Sequence, residues 1–190
     1  MKIHTILAAA TAAAIATTAI AHEGATGIVL ERMKAMSAMR EAVKEMTPMM
    51  RGQVQYDADA VRAAAQTIES HAGQAMIELF PEDASREKSY AKDALWQDFD
   101  RFADLAMQLE TQTRGLALAA ANGLGGDQGG SGGMMGTSSM MGQDTSAMMG
   151  GASGDTLSAE ALADMPADAV FEKVSQTCSA CHTPYRTKPE

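Results

Sequence analysis

Aromatic residues make up only 4% of the 190 positions, and the chain holds just two cysteines and five prolines. Two cysteines cannot build the disulfide framework of a small secreted scaffold. Few aromatic and β-branched residues, beside abundant Ala and Met, exclude an all-β fold. Basic charge is scarce as well: 15 Lys+Arg stand against 24 Asp+Glu, a formal net charge of −9. Without a basic stripe there is no footprint for a phosphate backbone, so no nucleic-acid partner is expected. Long apolar runs are missing beyond the first residues, so no stable membrane association is expected either. What remains is an all-α protein.

The start of the chain reads as an address. Lys2 precedes an uncharged, Ala-rich run from Ile6 to Ile20, and Ala19-Ile20-Ala21 suits a small-x-small cleavage site. Residues 1–21 are therefore expected to be a signal peptide, leaving an acidic exported protein that begins at His22. The competing reading is an uncleaved anchor, since the run is at the lower edge of spanning length.

Four stretches then carry a helical period. Ile28, Arg32, Met36, Met39, Val43, Met46 and Met50 step by three or four along one face, with Pro48 expected to limit the helix. Asp57 is a candidate N-cap for a second helix with the stripe Val61, Ala65, Ile68, Ala72, Ala75 and Leu79. Leu95, Phe99, Phe102, Ala106, Leu109, Leu116 and Ala120 mark a third, ended by Asn122-Gly123. Val170, Val174, Cys181 and Tyr185 mark the last, after a short helix capped by Ser158 and with Pro166 at its start. Residues 123–154 hold 12 of the 17 glycines and three Met-Met-Gly units. Such a segment buries too little to offset its chain entropy and reads as a disordered insert. The expected organisation is thus a signal peptide at 1–21, three helices in 22–122, a Gly/Met/Ser insert at 123–157 and the last helix in 158–190. An antiparallel up-down four-helix bundle is the architecture this favours. With so few large apolar groups, its centre has room for a buried cofactor.

Both cysteines fall in one pentapeptide, Cys178-Ser179-Ala180-Cys181-His182. This is the attachment pattern of haem c. Each thiol adds to one vinyl group of the porphyrin, and three-residue spacing on a helix sets both sulfurs along one porphyrin edge. The adjacent His182 then serves as proximal iron ligand. A thioredoxin-type dithiol would need a βαβ setting that is missing, and a zinc site would need a second Cys/His pair.

With its haem motif at the end of a four-helix chain, the sequence resembles the cytochrome c-prime family, the class II c-type cytochromes. The stretch Phe171 to His182 and the following Tyr185-Arg186 are similar to that family's last helix. So are Glu31-Arg32 with Met36, the connection from Pro48 to Tyr56-Asp57, Leu79-Phe80-Pro81, and Trp96 to Phe102. The resemblance covers 25–121 and 164–187 and omits the insert. It implies one covalently attached haem c, a periplasmic location, and often a homodimer through the first two helices. It also implies that Arg32 approaches a haem propionate and that Met36, four residues on, faces the iron opposite His182, as in the family's low-spin, methionine-ligated branch. Two departures stand out: the long insert, and Pro184, which would strain a continuing helix by about 3 kcal/mol and kink the turn that carries Arg186.

The residues alone point the same way. Arg32 is the one charge in its apolar stripe, and a buried arginine needs an anion unless it snorkels out of the bundle end. Met36 is a core filler or a thioether ligand, with Met33 and Met39 as rivals. Phe171, Val174, Phe99 and Phe102 are expected to pack on the porphyrin, whereas His71 reads as helix surface. The expected function is an electron carrier rather than an enzyme, with His182/Met36 ligation and unidentified redox partner proteins. The alternatives are a five-coordinate gas-binding cytochrome, in which Met36 leaves the iron open, and a copper-handling protein using the Met-rich insert, since clustered thioethers suit Cu(I).

Overall fold

The computed structural model describes residues 25–82, 87–126 and 157–187. The expected signal peptide and the three Met-Met-Gly units lie outside the described residues. Among those described, α1 spans Gly27–Met50, α2 Ala58–Glu69, α3 Gly73–Ile77, α4 Ala94–Gln97, α5 Phe99–Ala119, α6 Ala159–Ala163 and α7 Ala167–Tyr185. A 3₁₀ turn, Ala120–Asn122, closes α5. The long elements α1, α2, α5 and α7 form the helical bundle, and no described strand interrupts it. No helix among the described residues is long and apolar enough to cross a membrane.

Helix α1 buries Val29, Arg32, Ala35, Met39, Ala42, Met46, Met49 and Met50, a stripe at steps of three and four. Pro48 does not stop it where the sequence suggested: the helix runs on to Met50. The end is set by Gly52 instead, at φ +63°. Its N–H donates to Met49 O and that of Gln53 to Pro48 O, a Schellman pair that satisfies the last carbonyls.

Asp57 caps α2 as expected, its carboxylate accepting from the N–H groups of Asp59 and Ala60 at 2.9 and 3.1 Å. The expected second helix is nevertheless broken. A turn at 70–72 separates α2 from α3, and Ala75, counted in the apolar stripe, is exposed. Gly73 explains the break. Its φ of +56° is left-handed, and a Cβ there would collide with the Glu110 side chain of α5. The third periodic stretch is likewise split at Asp98, whose ψ of 47° leaves the helical region between α4 and α5. Ser158 caps α6 through its hydroxyl, and Asn122 Nδ2 donates to Ala163 O and Met165 O, tying α6 to the end of α5.

Helix α7 reaches the last residue of its expected stripe. It passes through Pro184 to Tyr185 without ending, and Arg186 sits just outside it in extended conformation. Proline removes one internal hydrogen bond, but outside donors take up neighbouring carbonyls. Lys92 donates from its N–H to Tyr185 O at 2.8 Å and from Nζ to Thr183 O at 3.3 Å. One antiparallel bridge, Ala91 to Arg186, and the bond from Thr187 N–H to Tyr90 O complete this strap.

The core is filled mostly by small and flexible groups: Met46, Val61, Ala65, Ile68, Leu116, Ala119, Leu162, Ala167, Val170 and Val174 are almost fully buried. Each of the larger ones contributes about 1.5–3 kcal/mol from burial.

Candidate functional site

Five of the chain's eight aromatic residues gather at one end of the bundle. Phe102 sits centrally at 1% exposure, edge-on to Phe80 at 4.9 Å and to Tyr185 at 6.2 Å between ring centroids. Phe99 lies 5.7 Å from Phe102, and Trp96 lies 6.1 Å from Phe80. Phe80 ends the segment after α3, Trp96 is in α4, Phe99 and Phe102 are in α5, and Tyr185 closes α7. The box therefore exists only once four separate elements have packed.

Arg32 points into it from α1. The residue is 4% exposed, and its guanidinium carbon lies 4.4 Å from the Phe80 centroid and 5.6 Å from that of Trp96. Nε donates to Leu79 O, while Nη1 and Nη2 are buried without a hydrogen-bond partner. Burial holds its pKa below the ordinary arginine value. A planar cation with two unused donor nitrogens is a receptor for a bidentate anion, and leaving it empty is costly. Of the two readings open from the sequence, snorkelling is excluded by this burial.

One turn after Arg32, Met36 is half-buried against the core. Met39 is inside that core at 7% exposure, and Met33 is half-buried. Helix α1 leans chiefly on α2 and touches α7 little.

On α7, Cys178 and Cys181 are three residues apart on one helical face, both half-buried against the core and both free thiols. Burial raises the Cys178 thiol above its ordinary pKa, and burial with the neighbouring Cys178 carries Cys181 up to about 11. His182 is exposed by area, yet the protein mass around its ring and the charge of Arg186 hold its pKa below the ordinary imidazole value. Arg186 is exposed beside it. Val174 is fully buried, while Phe171 and Phe99 are half-buried at the edge of the core. Among the described residues no three His, Cys, Asp or Glu side chains converge as a ready cage for a bare metal ion.

The structure adds contacts that pattern reading missed. The Tyr185 hydroxyl donates to Asp98 Oδ2 at 2.7 Å, and burial and this partner raise its pKa to about 12. Thr177 Oγ1 donates to Gln112 Oε1 at 2.8 Å, both residues being buried. A signal for the second pair was present, because Gln112 interrupts the apolar stripe between Leu109 and Leu116 and Thr177 follows Val174 by three. The Phe80–Trp96 box had no local signal, since its members lie far from Arg32 in sequence.

Comparison with known proteins bears on the family and the fold. The family described as Cytochrome C' matches residues 27–137, a span that stops short of the Cys178–His182 pentapeptide. Cytochrome c-556 of Agrobacterium tumefaciens (strain II Chrys) is 27% identical over 167 residues, covering 85% of this chain and 98% of that protein. The fold is similar to that of cytochrome c' from Thermochromatium tepidum, at TM-score 0.56 and 23% identity over 85% of this chain and 95% of that one. It is also similar to a mutant cytochrome c prime from Alcaligenes xylosoxidans solved as its nitric oxide complex, at TM-score 0.55 and 21% identity over 85% and 94%. A family match over more than half the chain, made without the haem motif, and the motif itself lead to one conclusion: the chain belongs to the cytochrome c' family, and its cofactor is covalently attached haem c.

Proposed function

We propose that this protein is an exported, periplasmic monohaem cytochrome that carries electrons, with His182 and Met36 as the residues that would ligate the iron. The observation that carries the reading is Arg32: a buried guanidinium with two orphaned nitrogens, one helical turn from Met36. A haem propionate is the anion that would satisfy it. The residues present fit the group. Cys178 and Cys181 share a face, and the aromatic box meets the end of the helix that bears them.

In this reading the Cys178 and Cys181 sulfurs would hold the porphyrin by thioethers, and His182 would supply its imidazole to the iron. Arg32 neutralises a propionate, with Arg186 as a second cation at the rim. Phe80, Phe99, Phe102 and Trp96 would keep water from the group, and Met36 would offer a thioether that favours ferrous iron. The bound haem contributes a one-electron couple at its iron. The chain's own task is to keep that couple dry, anchored and fully ligated, which is the work of a carrier rather than an enzyme. Its redox partners would present a basic surface to this acidic chain, with association that weakens in salt.

A second reading is supported by the structural neighbour solved with nitric oxide. There Met36 stays off the iron and the open side takes a small gas. Visible spectra of both oxidation states, with and without CO, separate the two. The carrier reading expects a low-spin spectrum indifferent to CO, and a Met36→Ala variant that turns high-spin and binds it. A wild-type protein that binds CO readily overturns it in favour of the gas-binding form.

A further inference from the structure

Two polar pairs tie α7 to α5, and the Cys178–His182 segment lies between them. Upstream, Thr177 at 5% and Gln112 at 8% exposure share their 2.8 Å hydrogen bond. Downstream, Tyr185 at 3% exposure reaches Asp98, the N-cap residue of α5, which also has Arg101 at 4.0 Å. The buried residues that α5 and α7 add to the same core are otherwise largely apolar: Phe102, Ala106, Leu109 and Leu116 from α5, Val170 and Val174 from α7.

Apolar contacts tolerate small slides, but a buried hydrogen bond does not. Moving α7 by one residue, about 1.5 Å, along α5 would part both pairs and strand the buried polar atoms of Thr177, Gln112 and Tyr185, while the exposed Asp98 carboxylate would return to water. A rotation of α7 would do the same. The last turn needs this help, because Pro184 removes one of its internal bonds. The strap from Lys92 holds the carbonyl end of that turn from outside, whereas these two pairs reach it from α5; Thr113, also fully buried on α5, bonds back to its own helix at Leu109 O and Glu110 O.

We propose that Gln112 and Asp98 are positioning residues for the haem site, acting through Thr177 and Tyr185 to fix the height and rotation of the Cys178–His182 turn. This rests on the reading that Cys178 and Cys181 carry the haem and His182 ligates it. Helix α5 is then a splint with one contact on each side of the attachment segment, and the orientation of the proximal imidazole is set from a helix that contributes no ligand.

The test uses holoprotein matured in a host that attaches haem c, read by low-temperature EPR of the ferric state and by redox titration. Thr177→Val and Tyr185→Phe are each expected to add a second axial-ligand signal, with the ratio of the two populations moved about fivefold, the factor one buried hydrogen bond supplies. The midpoint potential should shift with it. Thr177→Ser and Asp98→Asn keep the hydroxyl or an acceptor and should return the wild-type signal. If Tyr185→Phe yields no holoprotein, Asp98→Ala gives the same readout with the tyrosine retained. Variants that melt earlier but keep wild-type g values and potential would reduce both pairs to ordinary packing and overturn the proposal. Conservative variants that shift as far as the disruptive ones would overturn it too. Wild-type mass separates the two levels: a chain without covalent haem defeats the site reading itself, whereas a loaded protein with unresponsive g values defeats only the positioning.

Discussion

The two ends of the bundle are built on different principles. At the end formed by the start of α2, the end of α5 and the start of α7, alanines and other compact residues close the core. Ala119, Ala120 and Ala167 are fully buried, and Gly115 lets α6 approach so closely that an added Cβ would lie 2.5 Å from Leu162 Cβ. Polar groups there are satisfied, as with the Tyr56 hydroxyl on Ala120 O at 2.7 Å. The opposite end holds the aromatic box, two half-buried thiols and a buried guanidinium without enough partners. One end is finished by the chain alone. The other leaves two guanidinium nitrogens of Arg32 unsatisfied, which the proposed haem site would supply with an anion.

The sharpest way to test this contrast is to delete the attachment chemistry. Cys178→Ala/Cys181→Ala is expected to abolish covalent haem completely, read as the loss of the haem mass and of colour, while helical circular dichroism from the compact end persists. Next in size, Phe102→Ala should destabilise the protein by about 3–5 kcal/mol in chemical denaturation, because a fully buried ring leaves a cavity among Phe80, Phe99 and Tyr185. Gly115→Ala probes the compact end instead. Overpacking against Leu162 should cost about 1–3 kcal/mol and leave the visible spectrum unchanged.

Arg32→Leu should change sign with the state of the site. In the haem-free double-cysteine background it removes an uncompensated buried charge and is expected to stabilise by about 1–3 kcal/mol. In the holoprotein it deletes an anion partner and should destabilise. Paired denaturation curves read both, and a loss of stability in both backgrounds would erase the claimed difference between the ends. The smallest effect is a pH dependence at Tyr185, whose folded pKa of about 12 exceeds its ordinary 10.0. A raised folded pKa means that its contribution is fully present below about pH 10 and is lost as pH climbs towards 12. Tyr185→Phe should flatten that part of the alkaline stability profile.

Much of the fold was legible because helices announce themselves locally. The stripe of α7, the Asp57 and Ser158 caps and the Asn122-Gly123 stop follow from spacing and end chemistry and are present; on α1 the period held but the buried face is shifted, with Val29, Ala35, Ala42 and Met49 inside and Ile28, Met36 and Val43 only half-buried. The misses share a different cause. Pro48 read as a helix limit, yet it lies inside α1, in its last turn, where few backbone bonds remain to lose. The break at Gly73 was hidden because its reason is the Glu110 side chain on another helix.

The site divides in the same way. The pairing of Cys178, Cys181 and His182 is a matter of neighbours along one helix, and the covalent character of the cofactor follows from that order alone. Arg32 was visible as a charge on an apolar face, but whether it snorkelled or stayed inside depended on Phe80 and Trp96 arriving from elsewhere. The links from Gln112 to Thr177 and from Asp98 to Tyr185 were likewise decided by packing, between positions 65 and 87 residues apart. Sequence by itself determined the helices, their buried faces and the attachment chemistry, because each depends on residues within a turn or two of one another. Only tertiary structure decided which charge is stranded, which rings enclose it and which helix steadies the attachment segment, because burial and long-range partners do not exist until the elements meet.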